Sequence, residues 1–357
     1  MPIQQMMLGA GGAPPVKVQD VFSVDLWNGN GSSQSITNDI NISGEGGMVM
    51  IKNRDETRDM QQWDTARGNT EYLRSTQAHS HASGTSSSML TSFNSDGYSL
   101  GSDNHVNENG DEHIGWTFRK HPKFFDFQLA TLGADDSTYA TSITHQLDCD
   151  VGMAIFKSRN MLSQGYTWVT WLKGICVTTN QYLRWNQSVG RQSGGNSISY
   201  NASTKTFSFG YPASQAADRM RPGTGGASNV VAYFFADNNG SGEFGSGGDE
   251  DIIKCGTYNG TGNVNTAPSV NVGFEPQFLM VKRAFGNSYW TMWDSTRGVN
   301  PGTTTEDYSW VNYNAKESNW PQNMMEFTST GFQTRTNFSE VNSSGEYFYM
   351  AIRKDQS

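Results

Sequence analysis

The chain has 357 residues, enough for two or three ordinary domains, with a formal net charge of −9 and only 17% charged residues. That balance argues against a broad nucleic-acid surface, which needs clustered Lys and Arg, and no apolar run reaches the roughly 18 residues of a membrane-spanning helix. Aromatic residues make up 12%, too many for a disordered chain, and Gly, Ser, Thr and Asn take the place of charge. The expectation is strands joined by polar turns.

In chain order, residues 1–15 read "MPIQQMMLGAGGAPP" and lack the positive region and long apolar core of a secretory signal. We expect an extended arm, with Ile3, Met6, Met7 and Leu8 as an assembly anchor that orders on a partner. From residue 16 come "LWNGNGSSQSI" (Leu26 to Ile36), "GGMVMIKNR" (Gly46 to Arg54) and "QWDTARG" (Gln62 to Gly68). "TSFNSDGYSL" (Thr91 to Leu100), "VNENG" (Val106 to Gly110) and "IGWTFRK" (Ile114 to Lys120) follow. From residue 252 the landmarks return in the same order: "TYNGTGNVNTA", "PQFLMVKRA", "MWDSTRG" (Met292 to Gly298), "MEFTSTGFQT", "VNSSG" and "YMAIRK". Such a series predicts two copies of one unit of roughly a hundred residues.

The middle of the chain reads as a diverged third copy. "VGMAIFKSR" (Val151 to Arg159) matches the Met-rich strand, and "NVVAYFFAD" (Asn229 to Asp237) matches the closing strand. "YTWVTWLKG" (Tyr166 to Gly174) sits at the Trp-Asp box, with Leu172 and Lys173 in place of Asp and Arg. The polar stretch Asn186 to Ser203 reads as a long exposed loop or hairpin. The units are placed at residues 16–121, 122–237 and 252–357, with 238–251, "NNGSGEFGSGGDED", as a flexible linker.

"MVMIK" and "FLMVK" are short apolar runs bounded by Gly or Pro, as in strands buried on both faces, or on one face with Met filling gaps. "SDGY" and "STGF" place Gly where a turn needs positive φ. No segment gives three turns of amphipathic helix. Each unit therefore reads as about eight short strands, and the chain as all-β, a tandem of antiparallel, jelly-roll-like β-sandwiches, with sandwich against barrel left open.

The doubled box has two readings. As a structural latch, Trp63 and Trp293 plug one end of a sandwich, and Asp64–Arg67 and Asp294–Arg297 clamp the following loop. Gly68 and Gly298 then let the chain turn away. As a ligand site, the same Trp, Asp and Arg side chains face a small molecule. We adopt the latch as the working assignment.

Together "NGNG", "EGGMVMIKNR", "WDTARG", "FNSDGYSLGSD" and "VNENGDEHIGWTFRK" resemble a module of unassigned function repeated in structural proteins of tailed bacteriophages, marine and cyanobacterial phages among them. The opening "MPIQQMMLGAGGA" is similar to the short start of several such virion proteins. The resemblance runs from about Val16 onward and is weaker in the middle copy. It implies a virion component assembled in the host cytoplasm, a tail fibre or surface appendage involved in host attachment, and it carries no catalytic residues. Its implied partners are other virion proteins through the arm, and host surface glycan. Fibres are commonly trimeric, so a homotrimer is expected, although no heptads support it.

No GxSxG elbow, HExxH helix or P-loop occurs. Asp111 with Glu112, and Asp249 with Glu250 and Asp251, sit in turns or the linker rather than across a groove, so we expect a non-enzymatic protein with no cofactor. His79 and His81 could ligate a metal with His105 or His113, but no third ligand has a fixed spacing, and no metal is assigned. Tyr182, Trp185, Trp310 and Trp320, in polar surroundings, are candidate sugar-stacking rings. Cys149, Cys176 and Cys255 lack zinc spacing and read as free, mostly buried thiols made in a reducing compartment. The alternatives carried forward are a glycan-binding or glycan-cleaving tailspike-type module and a capsid decoration protein.

Overall fold

The computed structural model describes residues 15–76, 86–133, 141–159, 168–194, 197–210, 227–299, 306–320 and 323–355. The anchor residues Ile3, Met6, Met7 and Leu8 lie outside them. The described chain is all-β, built of open antiparallel sheets packed as sandwiches. Open edges set aside the barrel alternative.

Within residues 22–119, a five-stranded sheet runs in the order Phe22–Asn28, Glu112–Arg119, Gly47–Asn53, Gln61–Asp64, Leu73–Arg74. A three-stranded sheet, Gln34–Thr37, Gly97–Leu100, Leu90–Asn94, covers it. Residues 125–236 form a six-stranded sheet in the order Gln192–Ser193, Gln181–Arg184, Val169–Leu172, Val151–Ser158, Ala227–Ala236, Phe125–Gly133, with a three-stranded partner. Residues 253–353 do the same, in the order Ile253–Gly260, Gly345–Arg353, Pro276–Arg283, Thr291–Asp294, Glu306–Trp310, Ser318–Trp320. In all three the first strand pairs with the last, and the second pairs with the next to last on the smaller sheet. That crossing between layers is the jelly-roll-like feature. The division is five or six strands against three.

The Met-rich strands explain how the three units meet. Side chains alternate across a strand. Val49 and Ile51 point into their own sandwich with Trp63, Tyr98 and Leu100. Met48 and Met50 point the other way, into a cluster shared by all three units. The third unit repeats this split, with Leu279, Val281 and Trp293 inside and Phe278 and Met280 in the shared cluster. Phe22 meets Phe278 at 5.5 Å, Phe118 meets Phe235 at 5.5 Å and Trp185 meets Trp290 at 5.0 Å. Each contact joins a different pair of units, so the three large sheets close a ring around one aromatic core.

One sequence expectation changes. The stretch 238–251 is a fastened turn rather than a free linker. Asn238 is buried, its Oδ1 accepts the N–H groups of Ile252 and Ile253, and its Nδ2 donates to the Lys123 carbonyl. Phe244 is buried against His121 at 5.2 Å, and the Asp251 carboxylate accepts from the Gly240 and Gly242 amides. The Gly and acidic residues that suggested flexibility serve local hydrogen bonds. Of the loop or hairpin expected at Asn186 to Ser203, the structure has the hairpin, Ser197–Asn201 pairing with Thr206–Gly210. Among the cysteines, Cys176 and Cys255 are buried and Cys149 is half-buried, all as free thiols. Burial pushes the Cys149 and Cys176 thiols up to about 12.

The paired glycines of "SDGY" and "STGF" open a strand just after the turn. Gly97 has φ +140°, and a Cβ there would lie 2.1 Å from the Ile36 carbonyl oxygen. At Gly331 the corresponding distance, to the Val270 oxygen, is 1.9 Å. Close approach of the neighbouring strand, not turn geometry alone, demands glycine. Gly331→Ala should lower stability in urea unfolding by on the order of 2–3 kcal/mol; an unchanged midpoint would show that the strands can separate freely there.

Candidate functional site

The box strand pairs with the Met-rich strand so that Val49 faces Trp63 and Met48 faces Asp64. In the third unit Leu279 faces Trp293 and Phe278 faces Asp294. Alternation then sends each Trp into its own sandwich and each Asp toward the ring. Trp63 and Trp293 are wholly buried there, near Tyr72 and Tyr308 at 6.1 Å each. They fill the sandwich interior rather than plugging an end.

Asp64 and Arg67 form a closed pair. The Arg67 amide donates to Asp64 Oδ1 at 2.9 Å and its Nε donates to Oδ2 at 2.6 Å. Arg67 also donates to the Glu71 carbonyl at 3.0 Å and the Gln62 carbonyl at 3.3 Å. Asp294 and Arg297 repeat the two-point contact at 2.9 and 2.8 Å. Gly68 (φ +85°) and Gly298 (φ +102°) follow in the left-handed region and turn the chain away.

Each pair is completed by a neighbouring unit. The Tyr233 hydroxyl, from the second unit, donates to Asp64 Oδ2 at 2.7 Å and accepts from Arg67 Nη2 at 3.1 Å. Arg297 lies over the ring of Trp116, from the first unit, at 5.4 Å. Its Nη1 donates to Glu317 at 2.7 Å, and Glu317 accepts from Arg54 of the first unit at 2.7 Å. Tyr233 and Trp116 hold one register position, opposite Ile155 and Met50 respectively. The side chains of Arg67 and Asp64 are 1% and 0% exposed. Arg297 and Asp294 are both 0% exposed, which leaves no face for a ligand. Burial works against both guanidinium charges, but the adjoining carboxylates outweigh it and hold them above the ordinary arginine range.

The second unit closes its joint differently. Ala154 faces Trp171 and Met153 faces Leu172, so Leu172 stands where Asp64 stands, and the residue three further on is Ile175. Lys173 therefore does not replace the arginine; it reaches outward to Asp150 and Asp237 at 2.9 and 2.8 Å. The register position of Tyr233 in the third unit is Met350, opposite Met280. Leu172, Ile175 and Met350 are all fully buried in the shared cluster. Two joints carry an ion pair, and the third carries hydrocarbon.

Sequence reasoning missed Tyr233, Trp116, Glu317 and Arg54, because contacts between units leave no local spacing. It also missed Lys52, Lys157 and Lys282, although these stand at one position of the repeated strand, two residues past Met50, Ile155 and Met280. Lys52 Nζ donates to the Asn314 carbonyl of the third unit at 3.0 Å, and Lys282 Nζ donates to the Ser188 carbonyl of the second at 2.9 Å. Lys157 and Lys282 lie over Trp168 and Trp290 at 5.7 and 5.9 Å. Burial pulls their ammonium groups down, to about 8 for Lys52 and about 7 for Lys157 and Lys282.

The other candidates separate. His79 and His81 lie outside the described residues. His105 contacts Asp103 at 3.0 Å and His113 stacks on Trp27 at 5.7 Å, and no metal-ligand cluster occurs among the described residues. Asp111 accepts from Asn53 at 2.8 Å, Glu112 pairs with Arg54 at 2.6 Å and Glu250 with Arg353 at 3.5 Å, each an internal tie. Tyr182 and Trp185 are buried. Trp310 is partly exposed. The Trp320 side chain is outside the described residues.

A family model described as a domain of unknown function (DUF7483) matches residues 17–123 and 125–355. No curated protein and no solved structure matches the chain.

Replacing Arg67 by Ile alone leaves Asp64 buried without its cation and should cost about 3–5 kcal/mol in urea unfolding. The triple replacement Asp64→Leu, Arg67→Ile, Tyr233→Met copies the hydrocarbon joint and should recover most of that loss; a triple variant as weak as the single one would refute the equivalence of the joints. A second prediction concerns Lys282. Its unfolded-state pKa of 10.5 exceeds its folded value of about 7, so between those values the unfolded chain binds the extra proton and the lysine's contribution to stability rises with pH. The stability difference between the parent and Lys282→Met should therefore move in the parent's favour by up to about 1.4 kcal/mol per pH unit above pH 7. A pH-independent difference would show that the ammonium stays charged.

Proposed function

The chain belongs to the DUF7483 family, and from this premise we propose that it is a non-enzymatic structural protein of a bacteriophage virion, a tail fibre or surface appendage that takes part in host attachment. The carrying observation is where the repeated signature goes. Trp63, Asp64 and Arg67, and Trp293, Asp294 and Arg297, are enclosed in sandwich interiors and joints. The motif that defines the repeat therefore serves rigidity rather than an open reaction site. The phage-like landmarks named above supply the setting, and a stiff body with a polar, weakly charged surface suits an appendage exposed to solvent.

The arm bearing Ile3, Met6, Met7 and Leu8 is proposed as the link to other virion proteins. We place a ring complete in one chain ahead of a homotrimer, since ring contacts of 5.0 to 5.5 Å already join all three units. A solution mass near 39.3 kDa is then expected, and a mass about three times larger would restore the trimer.

Mass spectrometry of purified particles should find this chain, at tens of copies or fewer for a tail position; its absence would end the virion reading, and hundreds of copies would move it to the capsid. Deleting residues 1–15 should leave a folded chain that no longer incorporates into particles, and normal incorporation would remove the anchor role.

A further inference from the structure

One surface of the third unit departs from the other two in a way that the fold does not require. Arg74 faces Gln61, Arg184 faces Val169 and Trp310 faces Thr291 in the same register of the three large sheets. In the first unit Arg74 pairs with Asp59 at 4.0 Å. In the second, Arg184 donates to Gln187 at 2.9 Å. In the third, the position of Asp59 is Tyr289 and that of Gln187 is Tyr313. An ion pair and an amide contact have become a cluster of rings.

The rings pack on one another. Trp310 lies 5.4 Å from Tyr289, 5.6 Å from Tyr313 and 5.1 Å from Tyr308, and Tyr289 stacks on Tyr313 at 5.0 Å. Tyr313 is 43% exposed, which is unusual for a ring whose neighbours could bury it. Beside them opens a cleft of about 210 Å³ lined by Tyr308, Trp310, Ser318, Met324, Phe338 and Glu340. The indole N–H of Trp310 is buried and has no acceptor among the described residues. The cleft is smaller than the roughly 300–1,000 Å³ of a drug-sized site, so it suits a single ring rather than a helix or an extended peptide.

We propose that Tyr289, Trp310 and Tyr313, with the adjoining cleft, form a carbohydrate-binding platform. A pyranose presents an apolar C–H face and a rim of hydroxyls. The face stacks on aromatic rings, and the rim needs donors and acceptors at the edge. Here the rings supply the first, and the Glu340 carboxylate, the Ser318 hydroxyl and the tyrosine hydroxyls supply the second. An acidic or phosphorylated ligand fits poorly, because the charged lining residue is Glu340. This inference does not depend on virion membership, since it is tested on the purified chain.

The test uses the full chain and two exchanges that install what the other units carry, Trp310→Arg and Tyr313→Gln. Saturation-transfer NMR is run with glucose, galactose and N-acetylglucosamine, alongside retention on immobilised bacterial polysaccharides. The expected result is transfer to one face of at least one sugar, weakened about tenfold or more in each variant at an unchanged thermal midpoint. No transfer and no retention by the parent, or binding by the variants equal to the parent, overturns the proposal. A parent dimer that Trp310→Arg converts to monomer also overturns it, because the rings then cover a second copy. Should Trp310→Arg fail to fold, the exposed Tyr313→Gln carries the test alone.

Discussion

A strand that is buried at every position has no solvent face, and this constraint governs the molecule. Gly47–Asn53 and Val151–Ser158 are buried along their whole length. One set of alternating side chains is satisfied by the small sheet of the same unit. The other set, with Met48, Met50, Met153 and Ile155, remains apolar and must find cover elsewhere. A single sandwich cannot supply it. Three can, by turning their large sheets inward on one another, and the aromatic core along the axis is the result.

Once the sheets face inward, the box strand next to each Met-rich strand lies at a joint. A carboxylate and a guanidinium placed there lose water, and they are tolerable only with full hydrogen bonding. Arg67 and Arg297 obtain it from Asp64 and Asp294, from backbone carbonyls, and from Tyr233 across the joint or Glu317 of the same unit. The second unit meets the same geometric demand with Leu172 and Ile175. One fold thus shows both solutions at a single position, so a buried ion pair is one way of closing this joint and packed hydrocarbon another.

Much of the fold was legible in the sequence, because strands, turns and repeated landmarks are local or periodic signals. The bounded run "MVMIK" indicated burial on both faces, or on one face with Met filling gaps, and the spacing of Asp64 and Arg67 indicated a clamp. What faced the clamp was not legible. Tyr233 lies far along the chain from Arg67, and nothing near it marks a hydroxyl aimed at a carboxylate. Lys173 misled because it follows Leu172 directly, whereas the arginine position is set three residues on by the turn. The stretch 238–251 misled because Gly, Ser and Asp build tight anchored turns as readily as loose tethers. Phe244 was the signal to the contrary, a large apolar residue that a free tether has no reason to carry.

The threading of all three sandwiches onto one polypeptide has its own consequence. In an assembly of identical subunits every interface is the same interface, and dilution pulls the subunits apart. Here the neighbours are tethered, so local concentration stays high however dilute the sample. Each sandwich is also encoded separately, so one can exchange a charge for a ring, or a salt link for leucine, while its siblings keep their own chemistry. Threefold shape and threefold sameness are thereby uncoupled.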